Sequence, residues 1–347
     1  MTPIPASARK IAVRVPNWIG DVIMAVPALE QLRAAYPDAE IIAVARPWVK
    51  DLLMWRGDLI NRCLDFDDKG KHKGLPGLWR FGRALAREQC DLGVVLTKHF
   101  KGAFVFAVAG IPRRIGFATP ETRWFLHGAL ARKSLPKTGR HQSCDYTDLL
   151  AHTSNIPTPS EPLPPRLVAE DPRRDAAQAK FLADLPKPWL MVHAGAAFGT
   201  AKRWDSAGYR DVCRAFVDRT GGGVVLLGVK AEAEENTTIA TGLPERHGRN
   251  LCAATSLSES LALIASADFF LSNDSGLMHA AAAFGVPQVA IFGPTDINAT
   301  FPFNEKARTV YHRVDCSPCF QRHCPIGHDC MKAVKVDEVT ANLAALG

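Results

Sequence analysis

Short apolar runs alternate along this chain with longer stretches in which apolar positions recur every three to four residues. In the first half the runs at 10–15, 39–44, 62–66 and 91–96 predict strands. Helical spacing fills 22–36 and 78–89, the latter through Leu78, Phe81 and Leu85. The pattern restarts with strands at 189–193, 223–227, 269–271 and 288–292. Helices are expected between and around them, at 206–219, 232–241, 257–265 and 275–284. Such alternation implies parallel βαβ units. Six prolines between 157 and 174 suit an extended connection better than a packed element. The expected fold is α/β, with two doubly wound, Rossmann-like domains at 1–165 and 166–347. A last helix at 336–346 is expected to pack back across the first domain.

Composition narrows this picture without changing it. The 347 residues exceed the ~250–300 at which one core usually stops growing. No apolar run approaches the ~20 residues that span a bilayer, and residues 1–10 lack the apolar stretch of a secretory signal. A cytoplasmic protein, soluble or peripherally bound, is expected. Nine cysteines without a signal argue against a disulfide framework. Four of them, Cys316, Cys319, Cys324 and Cys330, follow C-x2-C-x4-C-x5-C with His323 and His328 interspersed. They can hold a structural metal such as zinc, or form buried thiols or an oxidation-prone loop.

Charge is uneven. The net +7 divides into +8 over 1–165 and −1 over 166–347. Between 69 and 140, fifteen Lys and Arg face only Glu88, Asp91 and Glu121. An anionic partner follows, whether nucleic acid, an acidic lipid surface or a phosphorylated glycan, unless the face is merely solvated. No nucleic-acid-binding motif is present, and the interleaved Trp79, Phe81, Phe100 and Phe104 read as core.

Three loops carry chemistry. VPNWIGD at 15–21 ends the first strand, and ligands of open α/β sheets bind at such carboxyl ends. It is not G-x-G-x-x-G, which argues against a nicotinamide or flavin site. Asp21, placed just before the next helix, either caps it or acts as a base. HAGAAFGTAKRW at 193–204 combines small residues, which let backbone N–H groups approach phosphate, with Lys202 and Arg203. SNDSGLMH at 272–279 sets a helix start, with its unpaired N–H groups, at the end of a strand. A diphosphate is the natural ligand there, although Asp274 or Ser275 can equally serve as a cap and His279 as a structural histidine. GPTD at 293–296 shares the same rim.

These stretches, with PNWIGDVIMAVPAL near the start and the tail CSPCFQRHCPIGHDCM, resemble glycosyltransferase family 9, the ADP-heptose:lipopolysaccharide heptosyltransferases. The tail looks like the heptosyltransferase II branch. The resemblance implies a GT-B fold whose two domains face across a cleft, the first for the acceptor and the second for an ADP-sugar. It implies inverting transfer of heptose to an anionic, membrane-anchored inner-core acceptor of heptosyl-Kdo2–lipid A type, at the inner face of the inner membrane of Gram-negative bacteria. Asp21 matches the general base, Lys202 the contact to the donor phosphates, and Glu232 the acid at the ribose. Asp274, Ser275, Gly276, Leu277 and His279 match the donor-binding helix start. Lys98, Lys101 and Arg123 are candidate acceptor contacts. The family's branch carries a proline–asparagine–serine-like stretch after the fourth strand where this chain reads LTKHFK, a departure that touches the acceptor side. No cofactor and no catalytic metal are required, since a lysine and a helix end suffice to neutralise a departing diphosphate. No nucleic-acid partner is expected.

Overall fold

The computed structural model describes residues 8–131 and 139–347. Arg132, Lys133 and Lys137, counted above among the basic residues, lie outside the described residues, as does most of the N-terminal stretch read for a signal. The chain divides into two compact units, Met1–Pro165 and Arg166–Gly347.

The first unit is built on a parallel sheet of six strands, β1 (Lys10–Arg14), β2 (Glu40–Ala45), β3 (Arg62–Asp65), β4 (Leu92–Val95), β5 (Arg113–Ala118) and β6 (Gly128–Ala131), in the order β3-β2-β1-β4-β5-β6. The central strands are buried on both faces, which is why they read as unbroken apolar runs rather than as alternation. Phe81, Leu85, Val105 and Phe106 cover one face together with Phe66. The single helix expected at 22–36 is two, Ile19–Met24 and Val26–Ala35, meeting at Ala25. Pro27 accounts for the break. It has no N–H to continue the first helix, and its fixed φ suits the first turn of the second. Strands β5 and β6 and the helix Ser143–Thr153 lie beyond the sequence-based expectations.

The second unit repeats the plan. Its strands are β7 (Trp189–His193), β8 (Gly223–Leu226), β9 (Gly248–Asn250), β10 (Phe269–Asn273), β11 (Gln288–Phe292) and β12 (Ala307–Tyr311). They run parallel in the order β12-β11-β10-β7-β8-β9. The proline-rich connection ends one helix earlier than its composition suggests. Asp171 caps a helix, Pro172–Phe181, by accepting the N–H of Arg173 at 2.8 Å, and Pro172 occupies its first position, where a missing N–H costs nothing. The last helix spans Val336–Ala344. It buries Val339 and Leu343 in the second unit's own core, against the helix Ser206–Thr220 and strands β11 and β12.

In each sheet the chain reverses its direction of growth at one strand pair, β1/β4 in the first and β7/β10 in the second. Such switch points open a crevice at the carboxyl ends of the strands, where neighbouring connections leave on opposite faces. Asp21 follows β1, Lys98 follows β4, the loop bearing Lys202 follows β7, and Asp274 and Ser275 follow β10.

Candidate functional site

In the first unit, Asp21 lies inside the first turn of the helix Ile19–Met24, not before it. The N-cap position is Trp18, whose side chain makes no capping bond. The capping alternative for Asp21 therefore falls away. Gln142 Nε2 donates to Asp21 Oδ1 at 2.9 Å. Gln142 is the N-cap residue of the helix Ser143–Thr153, whose first turn also supplies Asp145 and the buried Tyr146. Burial, and secondarily the charge of Asp21, push the Tyr146 phenol well above its usual range. Lys98 Nζ lies 3.3 Å from Asp145 Oδ2 and 5.3 Å from the centre of the Phe117 ring. Burial raises the Asp145 carboxyl above its ordinary value, against the opposing pull of Lys98. One helix start thus reaches both Asp21 and Lys98.

Lys101 belongs to a neighbouring group. Its Nζ is 2.8 Å from Asp68 Oδ2, and Arg46 makes two bonds to Asp68 Oδ1 at 3.0 and 2.8 Å. Arg14, almost fully buried, donates to the Val44 carbonyl at 3.1 Å and lies 5.0 Å over Phe66. Burial lowers its guanidinium to about 10. Three cations thus gather near one carboxylate. Arg123 is exposed and stacks over its neighbour Trp124 at 4.6 Å.

The second unit holds a denser network. Asn273, at the end of β10, accepts from the Trp204 N–H at 3.0 Å and the Tyr209 hydroxyl at 2.9 Å. It fixes the loop after β7 against β10. Lys202 Nζ lies 2.6 Å from Asp274 Oδ2, which also accepts the Thr295 hydroxyl at 2.6 Å. Asp274 therefore ties together the lysine loop and GPTD. Ser275 is the N-cap of the helix Gly276–Ala283 and accepts the Met278 N–H at 3.4 Å. The N–H groups of Gly276 and Leu277 stand in the first turn, where a helix offers donors without intrahelical acceptors. Leu277 and His279 are buried.

Glu232 is buried as well. It accepts the Val229 N–H at 2.9 Å, closing its own turn, and faces His193 Nε2 at 3.5 Å. His193 Nδ1 is in turn 3.2 Å from Ser275 Oγ. Burial works to raise the Glu232 carboxyl, but His193 and the Val229 N–H outweigh it and hold the carboxyl below its usual range. Gly195 makes this packing feasible, since a Cβ there would stand 1.8 Å from Glu232 Oε1.

The cysteine-rich stretch braces this half. The Arg322 carbonyl accepts the Ala201 N–H at 3.0 Å, His323 bonds the Thr200 hydroxyl at 3.0 Å, and His328 Nε2 donates to the Ala201 carbonyl at 2.7 Å. Phe320 N–H reaches the Pro294 carbonyl at 2.8 Å, and Ser317 donates to the Gly293 carbonyl at 2.6 Å. Gly199 permits the close approach, as a Cβ there would sit 2.2 Å from the Arg322 oxygen. All nine cysteines are free, and among the described residues no group of three or more His, Cys, Asp or Glu is disposed to hold a metal ion.

Sequence reasoning missed Gln142, Asp145 and Tyr146, which approach Asp21 and Lys98 from far along the chain. It quoted His193 without a role. Only the strand-end position of His193, directly before a glycine-rich loop, could have singled it out.

Residues 78–329 match glycosyltransferase family 9 (heptosyltransferase). The chain is 31% identical over 318 residues to lipopolysaccharide heptosyltransferase 2 of Escherichia coli, covering 88% of this chain and 90% of that one. It is 31% identical over 304 residues to lipooligosaccharide heptosyltransferase 2 of Haemophilus influenzae, covering 85% and 86%. The solved structure of the E. coli ADP-heptose lipopolysaccharide heptosyltransferase II superposes with a TM-score of 0.82 at 28% identity, over 97% of this chain and 98% of that one. The two six-stranded parallel sheets with flanking helices of this chain match that structure in the GT-B fold. The chain belongs to glycosyltransferase family 9, the heptosyltransferases, and is a glycosyltransferase.

Proposed function

We propose that this enzyme transfers heptose from ADP-L-glycero-D-manno-heptose to the inner core of lipopolysaccharide, on an acceptor of heptosyl-Kdo2–lipid A type. Support for the acceptor comes from the relatives named heptosyltransferase 2. For the donor, the observation that carries the reading is the Lys202 ammonium fixed by Asp274, on the same strand-end rim as the helix start at Ser275. A cation beside free backbone N–H groups is suited to a diphosphate.

In the reaction an acceptor hydroxyl attacks the anomeric carbon while the bond from that carbon to the ADP oxygen breaks, inverting the configuration. Asp21, oriented by Gln142, takes the hydroxyl proton, a service typically worth ~10²–10⁴-fold. Lys202 and the N–H groups of Gly276 and Leu277 neutralise charge growing on the departing diphosphate. Glu232 receives the ribose hydroxyls. This division of labour asks for no metal ion at the leaving group. The cations Lys98 and Lys101 contribute to holding an anionic acceptor, whose lipid anchor sets the work at the cytoplasmic face of a membrane.

ADP release from ADP-heptose, measured with and without the heptosylated acceptor, tests the reading. Release that depends on the acceptor supports it. Acceptor-independent release, or none with both substrates present, contradicts it.

A further inference from the structure

We propose that the outer face of the helix Gly74–Leu85, with the loop that leads into it, docks on an anionic lipid bilayer. The inner face of this helix is committed to the core through Leu78, Phe81 and Leu85, so its rotation is fixed. That orientation turns Leu75 and Trp79, one helical turn apart, into solvent at 61% and 55% exposure. Trp79 is thus not the core residue that its sequence context suggests. Around these two apolar side chains stand six exposed cations, Lys69, Lys71 and Lys73 in the loop and Arg80, Arg83 and Arg87 on and just after the helix. None of the six forms an ion pair among the described residues.

Of the nearby carboxylates, Asp65 is exposed at the end of β3 and the others are engaged. Asp67 spends both oxygens on the backbone N–H groups of Lys69, Gly70 and Lys71, at 3.0–3.2 Å. Asp68 is buried under Arg46 and Lys101, and Glu88 is paired with Arg62. Beyond Asp65 the surface is therefore predominantly cationic and carries an aliphatic and an indole side chain at its centre. Cations next to one indole and one aliphatic chain fit the headgroup layer of an acidic membrane, where the charges meet phosphates and the apolar pair enters the acyl boundary. Nucleic acid would use the cations but gives Leu75 no counterpart. The loop leaves the carboxyl end of β3, on the sheet edge from which Asp21 follows β1, so docking there would bring a lipid-linked acceptor to the half-site of the first unit. The proposal rests on the lipid-linked acceptor for its purpose, not for its geometry.

Sedimentation of the full chain with vesicles tests it, using phosphatidylglycerol–phosphatidylethanolamine against pure phosphatidylcholine. Leu75→Ser with Trp79→Ser forms one variant and Arg80→Gln with Arg83→Gln another, so that a folding failure in one leaves the other to decide. The wild type should prefer the anionic vesicles by tenfold or more. Each variant should lose at least tenfold in vesicle binding while keeping wild-type turnover on a delipidated, soluble acceptor. Vesicle binding unchanged in both folded variants would overturn the proposal. So would a wild type that ignores anionic vesicles, or one that binds a single-stranded oligonucleotide more tightly with the same dependence on these residues. Lost turnover on the soluble acceptor with vesicle binding intact would strike the proposed function and leave the docking surface standing.

Discussion

The two units follow one topology but solve different problems. In the second unit, Asn273, Asp274, Ser275, Glu232 and His193 are all buried and bonded to one another's loops, and the stretch 315–330 clamps the lysine loop from outside. In the first, Asp21 and Lys98 are half-exposed, and the helix start at Gln142 reaches each of them through one side chain. A preorganised half suits a small ligand of fixed shape, since donors already in place cost no reorganisation when charge develops. A half that relies on cations and few directional bonds suits a large anionic acceptor, which it can attract before fitting. The lesson is that a duplicated scaffold can be tightened on one side and left open on the other with no change in strand order.

The comparison can be broken most severely at Asp21. Asp21→Asn should lower kcat by about 10²–10⁴-fold in the ADP-release assay, with the thermal midpoint nearly unchanged. Lys202→Met should act on both stability and donor binding, because it leaves Asp274 charged and buried beside Thr295 alone. Removing one partner of a buried pair costs about 3–5 kcal/mol, so denaturant unfolding should register the loss alongside a raised KM for the donor. Gly195→Ala tests the packing of the tight half directly. Its methyl would collide with Glu232, and overpacking of this kind typically costs ~1–3 kcal/mol, visible as a lower melting temperature and weaker donor binding.

A smaller effect separates the halves by pH. The Glu232 carboxyl is held below its unfolded value, so its stabilisation is complete above that value and is lost as pH falls through the folded one. Glu232→Gln should therefore flatten part of the fall in stability below about pH 4.5. The smallest change belongs to the open half. Lys98→Met removes a partly solvated pair with Asp145, worth at most about 1 kcal/mol, and should leave the melting temperature nearly unaltered while weakening the acceptor.

How much of this was legible beforehand follows the same divide. Strands buried on both faces announce themselves as apolar runs, so β1, β4, β7 and β11 and the motifs at their ends could be read directly. Strand β5 opens with Arg113 and Arg114, and β6 is four residues of GALA at a sheet edge. Neither shows the unbroken apolar run that marks the central strands. The helix Ser143–Thr153 mixes polar and apolar residues on its buried side, which hid the element that brings Gln142 to Asp21. A bond between positions 121 residues apart leaves no local trace. The strap formed by 315–330 was equally illegible. Its cysteines drew attention to metal chemistry, while its contacts to the lysine loop run through the carbonyl of Arg322 and the rings of His323 and His328.

The central claim is that the second unit holds the donor and the first performs the proton transfer. Calorimetric titration of ADP into Asp21→Asn and Lys202→Met, side by side with the wild type, tests it most directly. The account predicts a dissociation constant within about twofold of wild type for Asp21→Asn, and one at least tenfold weaker for Lys202→Met, a loss of about 1.4 kcal/mol or more. Weakened ADP binding in Asp21→Asn together with unchanged binding in Lys202→Met would contradict it.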